Sequence, residues 1–102
     1  DIGTHFPDND AAFKNIDSKI LLKKTAELVA SKGYKIENID SIICAQEPKM
    51  KPYIDEMQRT IASILGIDEE DASVKATTTE KLGFVGRKEG IAAHAVVLLS
   101  KE

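Results

Sequence analysis

The sequence holds one thiol, Cys44. A single cysteine excludes an intrachain disulfide and fits a reducing compartment. It sits in the apolar run Ile42-Ile43-Cys44-Ala45, so packing accounts for it better than nucleophilic chemistry. Positive charge is short as well: 14 Lys and Arg stand against 17 Asp and Glu, a formal net charge of −3. That balance argues against a nucleic-acid groove, which needs a basic stripe. No apolar run approaches membrane-spanning length, and no basic-then-apolar signal opens the chain. Repeats, low-complexity tracts and a domain linker are lacking. So are a Walker lysine–serine pair behind a glycine loop, Gly-x-Ser-x-Gly and His-Glu-x-x-His. What is present is 102 residues, 42% hydrophobic and 30% charged: one soluble globular domain, small enough that a partner surface would help its modest core.

Hydrophobic spacing assigns the elements. Residues Asp1 to Asn15 read as an ordered polar loop around Phe6-Pro7. Asp8-Asn9-Asp10 lacks the downstream spacing and Glu of a calcium loop, and His5 has no second His at ligand spacing, so it reads as a surface residue. The chain opens without Met in the middle of this loop, and the expectation is that an N-terminal portion precedes it. A helix is predicted over Ser18 to Lys32, capped by Asp17 and stopped by Gly33. Leu21, Leu22, Thr25, Ala26, Leu28 and Val29 form its apolar arc, with Lys19, Lys23 and Glu27 facing away. Tyr34 to Gln46 reads as strand, interrupted by the polar Glu37-Asn38. A loop closed by Pro52 then leads into a second helix ending at Gly66. Its stripe is Tyr53, Ile54, Met57, Ile61, Ile64 and Leu65. Asp68 to Asp71 is a solvent-facing acidic turn, and Ser73 to Thr78 reads as strand. In Ile91 to Leu99 both alternating sets are apolar: Ile91, Ala93, Ala95, Val97 and Leu99 on one face, Ala92, His94, Val96 and Leu98 on the other. This order predicts a two-layer α+β domain with its helices on one face of a mixed sheet. Two helices cover only one face, so the other calls for a second subunit, and His94 there reads as an interface or core histidine rather than a ligand.

The densest chemistry lies in Thr77-Thr78-Thr79-Glu80-Lys81-Leu82-Gly83-Phe84-Val85-Gly86-Arg87. Hydroxyls and a guanidinium hold phosphate oxygens, and a carboxylate ligates a hard divalent cation. Gly83 and Gly86 allow a tight turn or close approach to a ligand. On residue types alone, a polyphosphate site and a polar turn ending a strand both stand.

Three segments converge on a resemblance. They are Asp1-Ile2-Gly3 with Phe6-Pro7-Asp8-Asn9-Asp10, then Ala45-Gln46-Glu47-Pro48-Lys49-Met50, then Thr77 to Arg87. Together they closely resemble the 2-C-methyl-D-erythritol 2,4-cyclodiphosphate synthase family of non-mevalonate isoprenoid biosynthesis, over essentially the whole chain. The third segment is the most specific. The resemblance implies a lyase that converts 4-diphosphocytidyl-2-C-methyl-D-erythritol 2-phosphate to the cyclic diphosphate with release of CMP. It also implies a homotrimer with active sites between subunits, in the bacterial cytoplasm or a plastid-type organelle.

By the same resemblance, Ala45, Gln46, Glu47, Pro48, Lys49, Met50 and Lys51 hold the cytosine, largely through backbone. Thr77, Thr78, Thr79 and Glu80 meet the diphosphate, with Thr78 as the catalytic stabiliser of the transition state and Glu80 ligating Mg²⁺ or Mn²⁺. Asp1, Ile2, Gly3, Phe6, Pro7, Asp8, Asn9 and Asp10 line the methylerythritol end. Phe84 and Arg87 match positions nearer the subunit junction, where Arg87 either binds phosphate or braces the fold. The family's Zn²⁺ ligands, an Asp-x-His pair and a further His, lie upstream of the match to Asp1, and neither His5 nor His94 aligns with them. The alternative reading is therefore a catalytically incomplete trimeric module that binds a cytidine nucleotide.

Overall fold

A computed structural model describes residues 2–6 and 17–102. Along them run α1 (Ile2–His5), α2 (Ser18–Ser31), β1 (Tyr34–Cys44), α3 (Ile54–Leu65), β2 (Ala72–Thr77), α4 (Gly83–Gly86) and β3 (Ala92–Lys101). Where a loop was expected at residues 1–15, Ile2–His5 make a turn of helix. The rest of that loop lies outside the described residues.

α2 begins where a cap is available. The Asp17 carboxylate accepts the Lys19 backbone N–H at 2.9 Å, and that bond, with the Lys19 ammonium beside it, holds the carboxyl below its ordinary range. Gly33 follows the helix at φ +85°, a left-handed conformation that favours glycine. The expected apolar arc, Leu21 to Val29, is half-buried, while Lys23 and Glu27 are exposed. In α3 the stripe from Ile54 to Leu65 is likewise half-buried, and Gly66 ends the helix in the left-handed region. Tyr53 departs from it. It belongs to a turn of 3-10 helix at Lys51–Tyr53 and stands 52% exposed.

Among the described residues the sheet has three strands, in the order β2-β1-β3. β1 pairs in parallel with β2, from Ile39 opposite Ala72 to Cys44 opposite Thr77, and α3 is the crossover such a pair requires. β1 pairs antiparallel with β3, from Tyr34 opposite Lys101 to Cys44 opposite Ala92. The interruption expected at Glu37-Asn38 is a bulge within one continuous strand: the register steps from Ile36–Leu99 to Asn38–Leu98. An added residue lets Ile36 and Ile39, three apart, share the helix-facing side. The domain is thus a mixed sheet with α2 against β1 and α3 against β2, the α+β arrangement expected.

The core is thin. Buried apolar residues among those described are Ala45, Ala62, Ala72 and Val85, and no large side chain is fully enclosed. The most buried residue of α3 and that of β2 are both alanines, Ala62 and Ala72, where the two elements pack together. On the sheet face away from the helices lie Asp40, Ile42, Lys75, His94 and Val96. This face is more polar than expected, because Lys75 pairs with Asp40 across the β1–β2 ladder and holds that carboxyl below its ordinary range. β3 stays uncovered, with Val96 74% and Leu98 56% exposed. No helix among the described residues is long and apolar enough to cross a membrane.

Ala72 is 0% exposed, so added volume there has nowhere to go. Ala72→Leu is expected to cost roughly 1–3 kcal/mol through overpacking between α3 and β2. A lower urea midpoint at unchanged slope checks this.

Candidate functional site: the ends of the parallel strands

β1 and β2 run in the same direction and end side by side, so the loops leaving them start from adjacent points. Crevices beyond the carboxyl ends of parallel strands are where open α/β sheets bind ligands. Here the two loops are residues 45–51 and 78–82. The ladder continues one step past the strands, since the Ala45 N–H donates to the Thr77 carbonyl at 3.0 Å. The Lys81 N–H then donates to Gln46 Oε1 at 3.1 Å, and Lys88 Nζ lies 3.1 Å from Glu47 Oε1. Two of the three segments singled out in the sequence therefore form one surface.

From the end of β2 into the second loop each threonine has a different bond. The Thr77 hydroxyl donates to the Thr78 carbonyl at 3.1 Å, and that of Thr79 donates to the Leu82 carbonyl at 2.7 Å. Thr78 Oγ1 instead accepts the Glu80 N–H at 3.3 Å. Its own proton finds no acceptor in the hydrogen bonds of the described residues. Thr77, Thr78 and Glu80 are exposed at the surface, and Thr79 is half-buried.

Glu80 and Lys81 both lie at positive φ, +55° and +65°. Two successive non-glycine residues in this region cost roughly 1–2 kcal/mol each, so the surroundings must hold them there. The Thr78 and Gln46 hydrogen bonds do so on one side, and the Leu82 N–H donating to the Thr79 carbonyl at 3.0 Å closes the turn.

The chain then enters α4, where the sequence suggested only a turn. Its two glycines have different jobs. Gly83 takes φ +67° with open space around it. Gly86 is buried with ordinary φ, but a Cβ there would lie 2.6 Å from Lys81 Cα and 2.7 Å from its carbonyl oxygen. The Phe84 ring is half-exposed and comes within 3.2 Å of where a Cβ on Gly90 would be. Arg87 Nε donates to both Glu89 oxygens, at 2.9 and 3.3 Å.

The remaining expected residues divide. Ala45 is buried, Gln46 and Met50 are half-buried, and Glu47, Pro48, Lys49 and Lys51 are exposed along the first loop. Ile2, Gly3 and Phe6 fall in or just after α1, while Asp1, Pro7, Asp8, Asn9 and Asp10 lie outside the described residues. Lys88, Glu89 and Gly90 were not singled out in the sequence. Lys88 meets Glu47 only through the fold, and no spacing rule links positions so far apart.

The donor set decides how far a metal fits. Among the described residues no three His, Cys, Asp or Glu side chains converge, so these residues do not suit zinc, which takes at least three protein ligands. His5 is exposed at the end of α1, beside Phe6, and His94 is exposed on the uncovered sheet face. Mg²⁺ or Mn²⁺ is different. Such an ion is held by one or two carboxylates plus phosphate oxygens and water, and an exposed Glu80 beside the threonines suits it.

Comparison with known proteins extends this picture. The model of the YgbB family matches residues 1–100. The 2-C-methyl-D-erythritol 2,4-cyclodiphosphate synthase of Bacteroides thetaiotaomicron is 64% identical over all of this chain, which covers 64% of that protein. The protein of the same name from Shewanella oneidensis is 56% identical, with the same coverage of 100% and 64%. Among solved structures, the bifunctional IspDF from Campylobacter jejuni superposes with a TM-score of 0.94 at 48% identity, covering 100% of this chain and 28% of that one. IspF of Plasmodium falciparum, a CDP complex, gives a TM-score of 0.84 at 38% identity, covering 100% and 60%. The chain spans 64% of the length of these bacterial relatives.

The two glycines offer a contrast. Gly86→Ala forces a backbone shift at Lys81 and is expected to cost roughly 1–3 kcal/mol, whereas Gly83→Ala carries only the strain of its φ, about 1 kcal/mol. Denaturant titration of both variants checks the order.

Proposed function

The chain belongs to the YgbB family, and from that membership we propose that it supplies the nucleotide and diphosphate side of a 2-C-methyl-D-erythritol 2,4-cyclodiphosphate synthase. The observation that carries the reading is the joining of the 45–51 loop to the Thr77–Glu80 turn across the ends of β1 and β2. A cytidine diphosphate needs both a surface for the base and, one nucleotide length away, donors for the phosphates. The CDP found in the Plasmodium falciparum relative supports this assignment.

In the proposed reaction an oxygen of the 2-phosphate attacks the β-phosphorus of the diphosphocytidyl group. The bond from that phosphorus to the CMP oxygen breaks, and CMP leaves with the electron pair. No water or redox partner is consumed. Phosphoryl transfer asks the protein for position and for donors to the charged oxygens. Backbone groups of Ala45 to Lys51 hold the cytosine. Thr77, Thr78 and Thr79 face or frame the diphosphate, and the hydrogen bonding favours Thr78 as the donor to the transition state. Its Oγ1 is engaged as an acceptor by Glu80, whereas the hydroxyls of Thr77 and Thr79 already donate to carbonyls. Glu80 would hold a bound Mg²⁺ or Mn²⁺, which would neutralise charge on the phosphates. No step is assigned to zinc. Ile2, Gly3 and Phe6, with Asp1 and Pro7 to Asp10, are proposed to line the methylerythritol end. Arg87, whose Nε donates to the exposed Glu89, is proposed to bind phosphate near the subunit junction or to brace the α4 turn.

The active form is proposed to be a homotrimer with sites between subunits. The exposed apolar residues of β3, Val96 and Leu98 among them, support a partner of this kind. Bacterial relatives favour the cytoplasm over a plastid-type organelle.

Supplying 4-diphosphocytidyl-2-C-methyl-D-erythritol 2-phosphate with Mg²⁺ tests the reading, with ³¹P NMR following the cyclic product and CMP. Formation of both is expected. Binding of CDP without turnover would leave the incomplete nucleotide-binding module, and neither binding nor turnover would sink both. Glu80→Gln should lower turnover roughly a hundredfold with an unchanged melting curve. Unaltered activity would remove Glu80 from the mechanism. Val96→Asp, at the most exposed apolar position of β3, should shift sedimentation from trimer to smaller species; an intact trimer would show that this face is no interface.

A further inference from the structure

We infer that Gln46 is a positioning residue: its side chain ties the loop proposed to hold the base to the turn proposed to hold the diphosphate and its metal. The inference rests on the function proposed above and goes beyond it. Gln46 follows the buried Ala45 at the end of β1, and its Oε1 accepts the Lys81 N–H at 3.1 Å, across 35 residues of sequence. Its amide oxygen is therefore engaged by protein, not free for the cytosine.

The consequence runs through one peptide plane. The Lys81 nitrogen, the Glu80 carbonyl and the Glu80 Cα share that plane, so holding the N–H holds the plane from which the Glu80 side chain departs. Lys81 is clamped from the other side as well, since its Cα and carbonyl press against Gly86 where no Cβ fits. Gly86 sets how close the turn lies, and Gln46 sets how it is rotated. The Lys88–Glu47 ion pair ties the first loop to the chain beyond α4, but both its side chains are more than half exposed, and solvent-exposed pairs of this kind hold geometry weakly. It is no substitute for Gln46. A displacement of an ångström at groups that position phosphates is enough to cost up to a hundredfold in rate.

Gln46→Met keeps the length of the side chain and removes the acceptor. In the full protein, calorimetry with CMP and with CDP in the presence of Mg²⁺ is read beside steady-state turnover. CMP affinity is expected to stay within about twofold, while the preference for CDP over CMP shrinks about tenfold. On the same account kcat falls about tenfold or more, KM rises in step with the lost CDP affinity and the melting temperature holds. Equal losses for CMP and CDP would make Gln46 a base contact and overturn the inference. A lower melting temperature with the CDP preference intact would reduce it to a structural residue, and no change in any readout would overturn it too. These outcomes require a wild-type protein that binds CDP. A wild type that neither binds CDP nor turns over overturns the function reading, and this inference with it.

Discussion

The parallel pairing of β1 with β2 is the constraint on which the site depends. Their ladder ends with Cys44 opposite Thr77 and is prolonged by the Ala45 N–H to the Thr77 carbonyl, so two loops far apart in sequence begin within one hydrogen bond of each other. A parallel pair cannot be joined by a tight turn. α3 makes the crossover, and packing of α3 against β2 around Ala62 and Ala72 keeps β2 at the depth where its end aligns with that of β1. The proposed chemistry therefore rests on a helix none of whose residues takes part in it.

Past the strand ends, the turn is held by opposition rather than by intrinsic preference. Glu80 and Lys81 adopt a conformation that side chains disfavour, Gly86 permits their backbone to lie close, and Gln46 and Thr78 supply acceptors on the other side. Strain persists where surroundings over-determine it, and such places cluster where a ligand must be met in one geometry. The same bonds separate three chemically alike threonines. Only Thr78 keeps its hydroxyl proton uncommitted in the hydrogen bonds described.

Local physics was legible in the sequence. Asp17 before a periodic apolar arc, Gly33 and Gly66 after one, and the order of helices and strands all gave elements close to those found, because caps and 3.6-residue spacing act within a few residues. The bulge at Glu37-Asn38 was visible only as a break in alternation, since polar residues there fit an interruption equally well and register depends on β3. Gly83 and Gly86, three positions apart, suggested a turn, but not that Gly83 serves φ and Gly86 serves packing. The motif residues 45–51 and 77–80 stood out through a resemblance, and their meeting follows from strand pairing. The Gln46–Lys81 and Glu47–Lys88 contacts were beyond reach, because nothing at either position signals the other until the sheet is assembled.

The sheet's two faces carry the last step. The side toward α2 and α3 receives Ile36, Ile39, Ile43 and Val74, and it obtains its cover within the chain. The opposite side mixes an Asp40–Lys75 pair and His94 with Val96 and Leu98. A purely apolar cover would strand that charged pair, and open water leaves the valine and leucine bare. What suits such a face is a surface with its own polar groups placed between apolar ones, as a second copy of a mixed surface provides. Such a copy would also lie alongside β3, the strand that follows directly from the α4 turn. Assembly and the proposed diphosphate turn would then be mechanically adjacent, separated by residues 87–91 alone.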